Sequence, residues 1–284
     1  MKVLVDGVMV AKSDVKVDME DRGYQFGDGV YEVINVYDGV PFTLDEHIER
    51  LYRSAQEIGI SINFESDHLK NDIRKLIKEN DMKKGGLYLQ VTRGVAPRTH
   101  QYQKDILSKL VAYPLPYKEM EETRSSGVTA ITEQDLRWLR CDIKSLNLLY
   151  NIMIKQKAYE QGCFEAILIR DGVVTEGTSS NVFIIKDGII YTHPATNLIL
   201  NGITRQKLLE VYQENGWTFK EQSFSSLELM EADEVFVTST TSEVVPVVSI
   251  DGKAINNGSP GSLTRKIQQA FSMTVKNETS SVVG

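Results

Sequence analysis

The sequence predicts an α+β fold, and two patterns carry that prediction. Six Asp-Gly dipeptides occur along the 284 residues, five of them between short β-type runs. Asp6-Gly7, Asp38-Gly39, Asp171-Gly172, Asp187-Gly188 and Asp251-Gly252 each offer the positive-φ pair of a tight hairpin. Between the hairpins, apolar residues recur at spacings of three and four, the repeat of a helix that buries one face.

Taken in order, residues 33–37, 166–170, 182–186 and 244–250 read as strands flanking those turns, so much of the protein is expected to be antiparallel sheet. Leu44, Ile48, Leu51, Ala55 and Ile58 form a first helical stripe. Leu69, Ile73, Leu76 and Ile77 form a second, with Ser66 as the expected N-cap. A third helix is expected from Leu148 to Tyr159, ended by Gly162. Others should begin near Thr204, stopping at Asn215-Gly216, and near Ser262. The tail, residues 277–284, is small and polar and is expected to be mobile. Pro114 and Pro116 end a strand just before a charged stretch, which places a domain boundary there. The expected domains are residues 1–117, an N-terminal α/β domain, and 118–284, a barrel-like α+β domain containing Lys144.

Composition narrows the function. A net charge of -7 implies no general affinity for nucleic acid. Charged residues at 25% against 41% hydrophobic describe a soluble globular chain. No window approaches the ~20 apolar residues that span a bilayer, and the N-terminus is too soon interrupted for a signal peptide. Two cysteines, Cys141 and Cys163, make no disulfide framework, and a cytoplasmic location is expected. The histidines lack metal-ligand spacing, and no P-loop is present.

Two places fit together as one cofactor site. Lys144 lies among Ile143, Leu146, Leu148 and Leu149, and Glu176 follows 32 residues later in Thr175-Glu176-Gly177. A lysine able to form a Schiff base and a carboxylate able to face a pyridinium nitrogen are what pyridoxal phosphate chemistry requires. Attack on an aldehyde needs a neutral amine, which burial or cationic neighbours must favour. The following Gly177-Thr178-Ser179-Ser180-Asn181 adds small donors beside Glu176. Arg50, in His47-Ile48-Glu49-Arg50-Leu51, and the helix opening at Gly202-Ile203-Thr204 read as phosphate anchors. Ser239-Thr240-Thr241-Ser242 places further hydroxyls on a loop. Arg98-Thr99-His100 sets two donors one residue apart, suited to clamp a carboxylate, and Tyr31 could add a hydroxyl.

Together with Phe26-Gly27-Asp28-Gly29-Val30-Tyr31-Glu32, these motifs resemble the fold-type-IV pyridoxal phosphate enzymes. That family includes L-branched-chain aminotransferases, aminodeoxychorismate lyase and D-amino-acid aminotransferases. Arg98-Thr99-His100 and residues 138–147 are most similar to the D-amino-acid (D-alanine) aminotransferase branch. The resemblance implies two α+β domains with the coenzyme, pyridoxal 5′-phosphate, in the interdomain cleft of a homodimer. It implies that Lys144 holds the coenzyme and that Glu176 pairs with the ring nitrogen. Arg50, Ile203 through its backbone, Thr204 and Thr240 would bind phosphate, and Leu200 would pack on the ring. Tyr31, Arg98 and His100 would bind the substrate carboxylate, with the Arg98 loop reaching in from the partner subunit. The implied activity is ping-pong transamination between D-alanine and 2-oxoglutarate, giving pyruvate and D-glutamate. The alternatives are an L-branched-chain aminotransferase or a lyase on the same scaffold, or a non-catalytic coenzyme-binding protein.

Overall fold

Two sheets organise the chain, which a computed structural model describes over residues 1–280. The first has six strands in the order Val8–Ala11, Lys2–Val5, Lys109–Pro114, Lys84–Thr92, Gly29–Tyr37 and Val40–Pro41. Every pairing in it is antiparallel. Burial alternates along Gly29–Tyr37, so Val30, Glu32, Ile34 and Val36 face the core and Tyr31 and Val33 do not. Helices Leu44–Glu57 and Ser66–Glu79 cover that inner face with Ile48, Leu51, Ile73 and Leu76.

The second sheet is mixed. Its order is Phe219–Glu221, Ile189–Thr192, Asn181–Lys186, Glu234–Ser239, Glu243–Ile250, Val128–Gln134, Glu165–Arg170 and Val173–Gly177, with Lys253–Ala254 beside Glu243–Ile250. Val128–Gln134 and Glu165–Arg170 run parallel. Parallel neighbours need a long crossover, and helix Leu149–Glu160 supplies it. Glu243–Ile250 and Ile189–Thr192 also take parallel partners, so the sheet is less uniformly antiparallel than expected.

All five expected hairpins form, with Asp at φ 48–51° and Gly at φ 74–85°. The sixth dipeptide, Asp28-Gly29, instead leads into a strand. Glu65, not Ser66, occupies the N-cap of its helix, and Ser66 is the first helical residue. The tail also differs: residues 277–280 continue helix Ser262–Ser280, because the buried stripe of Ile267, Phe271 and Val275 extends to Thr279. The remainder of the tail lies outside the described residues.

The chain divides into two compact units. Among the described residues, one comprises Met1–Lys118, Ile143–Asn147 and residues 278–280; the other comprises Glu119–Asp142 and Leu148–Asn277. Lys144 therefore packs with the first unit rather than the C-terminal domain to which its position in the sequence assigned it. Backbone pairing is the reason. Tyr31 N donates to Lys144 O (3.1 Å), Leu146 N donates to Gly29 O (3.0 Å), and Ser145 bridges Val30.

Two glycines separate strain from collision. Gly172 has φ 80° with open space where a Cβ would stand, so Gly172→Ala should cost only backbone strain, about 1–2 kcal/mol. Gly94 has φ 110°, and a Cβ there would run into the Leu107 carbonyl oxygen. Urea midpoints should fall markedly further for Gly94→Ala than for Gly172→Ala.

Candidate active site

In the first unit, the strand pleat puts Glu32 on the core face, where its carboxylate needs partners. Helix Leu44–Glu57 brings them three residues apart, on its buried side. Arg50 Nε lies 2.7 Å from Glu32 Oε1 and Arg50 Nη2 lies 2.8 Å from Oε2. His47 Nδ1 is 2.7 Å from Oε2. Burial opposes ionisation of Glu32, but Arg50 and His47 outweigh it and hold the carboxyl at about 2. Burial, partly offset by Glu32, pushes the His47 imidazole below its ordinary value, favouring the neutral ring as donor. Arg50 is thus no exposed helix arginine: its fork is fixed in place by a buried acid.

Tyr31 points the other way, and the Lys144 amine stands 4.3 Å from its ring centroid. The Lys144 backbone is held as well, its N–H donating to Ser54 Oγ (3.2 Å). Arg98 and His100 sit on an exposed loop, both against Phe26: the guanidinium lies 4.9 Å from that ring's centroid and the imidazole meets its edge at 5.9 Å. Among the described residues no hydrogen bond or ring contact joins either of them to Tyr31. The structure therefore pairs Tyr31 with Lys144, and Arg98 with His100.

In the second unit, Glu176 is buried near the end of strand Val173–Gly177. One oxygen pairs with Arg137 Nη1; the other accepts from Leu200 N (3.0 Å) and Asn181 Nδ2 (3.2 Å). Burial pushes the Glu176 carboxyl up to about 7, against the pull of Arg137. Arg137 in turn grips Asp135 through Nε (2.9 Å) and Nη2 (2.8 Å). Burial works against that acid too, but Arg137, Arg170 and Thr175 overcome it and keep Asp135 at about 2.

Asn181 links this carboxylate to the start of helix Ile203–Glu214. Its Nδ2 also donates to Leu200 O (2.8 Å), while its Oδ1 occupies the space that a Cβ on Gly202 would fill. Gly202 is the N-cap of helix Ile203–Glu214, which has neither a side-chain cap nor an acidic residue in its first turn. Its first N–H groups and dipole suit a phosphate, with buried Thr204 in that turn. Thr240 lies in the turn closed by Ser239 and Ser242, whose hydroxyls are 2.6 Å apart. Ser179 is exposed, its hydroxyl 3.4 Å from Glu165 Oε2. Ser180 (2.9 Å) and Thr178 bond the same buried acid. A buried carboxylate for a ring nitrogen and an uncapped helix start for a phosphate fit a phosphorylated pyridine.

Sequence reasoning placed Asn181 in the donor stretch beside Glu176, where its Nδ2 does bond that carboxylate, but missed Glu32, Asp135, Arg137 and Glu165 as parts of these clusters. Asp135 and Arg137, an acid and a base two residues apart, were the one local signal available. The partners of the others are distant in sequence or hidden in hydroxyl-rich turns.

The amino-transferase class IV family matches residues 29–250. The chain is 58% identical over 283 residues to the D-alanine aminotransferase of Bacillus licheniformis, covering 100% of both. It is 51% identical over 274 residues to that of Listeria monocytogenes, covering 95% of each. Among solved structures, the branched-chain amino acid aminotransferase of Escherichia coli matches with a TM-score of 0.90 at 28% identity, covering 95% of this chain and 93% of that one. That of Thermoproteus uzoniensis, solved with norvaline, matches with a TM-score of 0.86 at 28% identity and the same coverage, 95% and 93%.

The paired acids predict an acid-labile fold. Glu32 is held at about 2 against an ordinary 4.5, so its stabilisation is complete above 4.5 and is lost as pH falls toward 2. Glu32→Gln removes the charge that buried Arg50 and His47 face and should cost about 3–5 kcal/mol at neutral pH. The gap from wild type should shrink between pH 4.5 and the lowest pH at which both fold. Urea titrations across that window check this, and a constant gap would count against the pairing.

Proposed function

This chain belongs to the class IV aminotransferases, and on that premise we propose that it exchanges the amino group of a D-amino acid with the oxo group of a 2-oxo acid. D-alanine and 2-oxoglutarate are the proposed pair, giving pyruvate and D-glutamate. Full-length similarity to D-alanine aminotransferases supports this choice, as does the Arg98-Thr99-His100 loop. The observation that carries the chemistry is the buried Glu176 carboxylate, tied through Asn181 to the start of helix Ile203–Glu214.

The coenzyme is pyridoxal 5′-phosphate, whose protonated ring, when bound, accepts the electron pair left at the substrate Cα. Lys144 holds it through its amine and moves the Cα proton at Nζ, with Tyr31 as the wall beside that atom. Arg137 pulls Glu176 toward its ionised form against burial, and an ionised Glu176 would keep a proton on the ring nitrogen. Phosphate is held by Arg50, Ser179, Thr240, the Ile203 N–H and Thr204. Leu200 packs on the ring while its N–H steadies Glu176. Tyr31, Arg98 and His100 bind the substrate carboxylate, which decides the face of Cα that Lys144 meets and hence the enantiomer.

The enzyme works as a homodimer in which the Arg98 loop completes the partner's site. Exposed Leu149, Ile152 and Met153 on one helix support association. We assign it to the cytoplasm, where the two cysteines, both free, stay reduced. No helix among the described residues is long and apolar enough to cross a membrane.

An enantiomer screen with 2-oxoglutarate as acceptor tests the reading: D-alanine should yield pyruvate, and turnover of L-branched-chain amino acids instead would overturn it. Borohydride reduction of the holoenzyme should fix the coenzyme on Lys144, and a label mapped to another lysine would refute that assignment. Lys144→Ala should lose transamination by several orders of magnitude with the fold intact. Mixing Lys144→Ala and Arg98→Ala proteins should restore activity, since one site of each mixed dimer would be whole. No recovery in dimers that have exchanged subunits would place the carboxylate site within one chain.

A further inference from the structure

We propose that Arg22 is a positioning residue for the substrate carboxylate. It fixes the backbone beneath Arg98 and His100 and, through Asp28, ties that loop to the strand carrying Tyr31. The inference rests on Arg98 and His100 being the carboxylate site, as argued above.

Arg22 opens the short helix Arg22–Phe26 and is only 4% exposed. Its three guanidinium nitrogens serve three targets. Nε donates to Asp28 Oδ2 (2.9 Å), Nη1 to Thr99 O (2.7 Å) and Nη2 to His100 O (3.3 Å). Two successive carbonyls of an otherwise exposed loop are thereby held from below. Phe26, four residues on and at the other end of that helix, is the ring on which Arg98 and His100 rest. The helix thus grips the loop by its backbone at one end and seats its side chains at the other.

Asp28 joins this grip to the sheet. Arg93 donates to both its oxygens, Nε to Oδ2 (2.8 Å) and Nη2 to Oδ1 (2.9 Å). Burial of Asp28 is outweighed by Arg93 and Arg22, which keep its carboxyl below the ordinary carboxylate range. Arg93 is itself anchored on the Gly59 and Ile58 carbonyls, each at 2.7 Å, and lies 3.6 Å from the Tyr102 ring centroid. Its backbone N–H donates to Asp28 O (3.0 Å), one residue before the strand that carries Tyr31 begins. Asp28 therefore anchors the loop of Arg98 and His100, which serves the partner's site, on the strand whose Tyr31 stands beside its own chain's Lys144.

The physical need is orientation. An exposed loop samples many backbone states, and a clamp made of two side chains separated by one residue works only if the peptides between them are fixed. A guanidinium can serve two carbonyls and a carboxylate at once because its donors form a rigid fork; an ammonium lacks that geometry.

The test compares holoenzymes of wild type, Arg22→Met, Arg22→Lys and Arg98→Ala, with D-alanine and, in reverse, pyruvate as the varied substrate. Arg22→Met leaves Asp28 its two bonds from Arg93, and thermal melts identify the folded variants. KM for both substrates should rise roughly ten- to a hundredfold in Arg22→Met, with kcat and coenzyme absorbance changed much less. Arg22→Lys should recover only part of the loss, because it restores the charge and not the fork. Folded Arg22 variants with unchanged KM would overturn the proposal, as would a fall in kcat and coenzyme affinity without a rise in KM. Should Arg98→Ala raise KM while Arg22→Met does not, positioning by Arg22 is wrong and the carboxylate site stands. If Arg98→Ala itself leaves KM unchanged, the carboxylate reading fails and this inference goes with it.

Discussion

A carboxylate taken out of water must regain its lost hydration from cations and hydrogen bonds, and this constraint shapes the chemistry-bearing part of the chain. Glu32 meets it with Arg50 and His47, Asp28 with Arg93 and Arg22, and Asp135 and Glu176 with the shared Arg137. Each solution fixes a guanidinium as firmly as it neutralises an acid. Arg50, proposed to hold a phosphate, and Glu176, proposed to face a ring nitrogen, belong to such pairs, and the loop of Arg98 and His100 is seated on one.

The pairs differ in balance, and the differences suit different work. Glu32 and Asp135 are each outmatched by their cations and stay ionised far into acid, which befits struts. Glu176 shares Arg137 with Asp135, and burial leaves its carboxyl at about 7. Such a carboxylate has unmet demand for positive charge, which a protonated ring nitrogen would satisfy.

Much of the fold was legible because its signals are local. A type I′ hairpin needs two positive-φ residues in succession, and Asp-Gly states that requirement in the sequence itself. The amphipathic stripes of helices Leu44–Glu57 and Ser66–Glu79 likewise repeat what burial on one face demands. The expected ends were less secure. Ser66 lost the cap to Glu65, and the polar tail turned out helical as far as Ser280 because the buried four-residue stripe of Ile267, Phe271 and Val275 runs on to Thr279.

The sequence by itself determined the hairpins, the helical stripes, the soluble composition and the residue types of the candidate site, each being a property of neighbours along the chain. Only the tertiary structure decided which acid meets which cation. Arg22 reaches carbonyls 77 and 78 residues away, and Arg137 meets Glu176 across 39. It also decided that Ile143–Asn147, with Lys144, packs beside strand Gly29–Tyr37. No local pattern encodes such pairings. They exist because burial removes water from both partners at once, and only the folded chain brings those partners together.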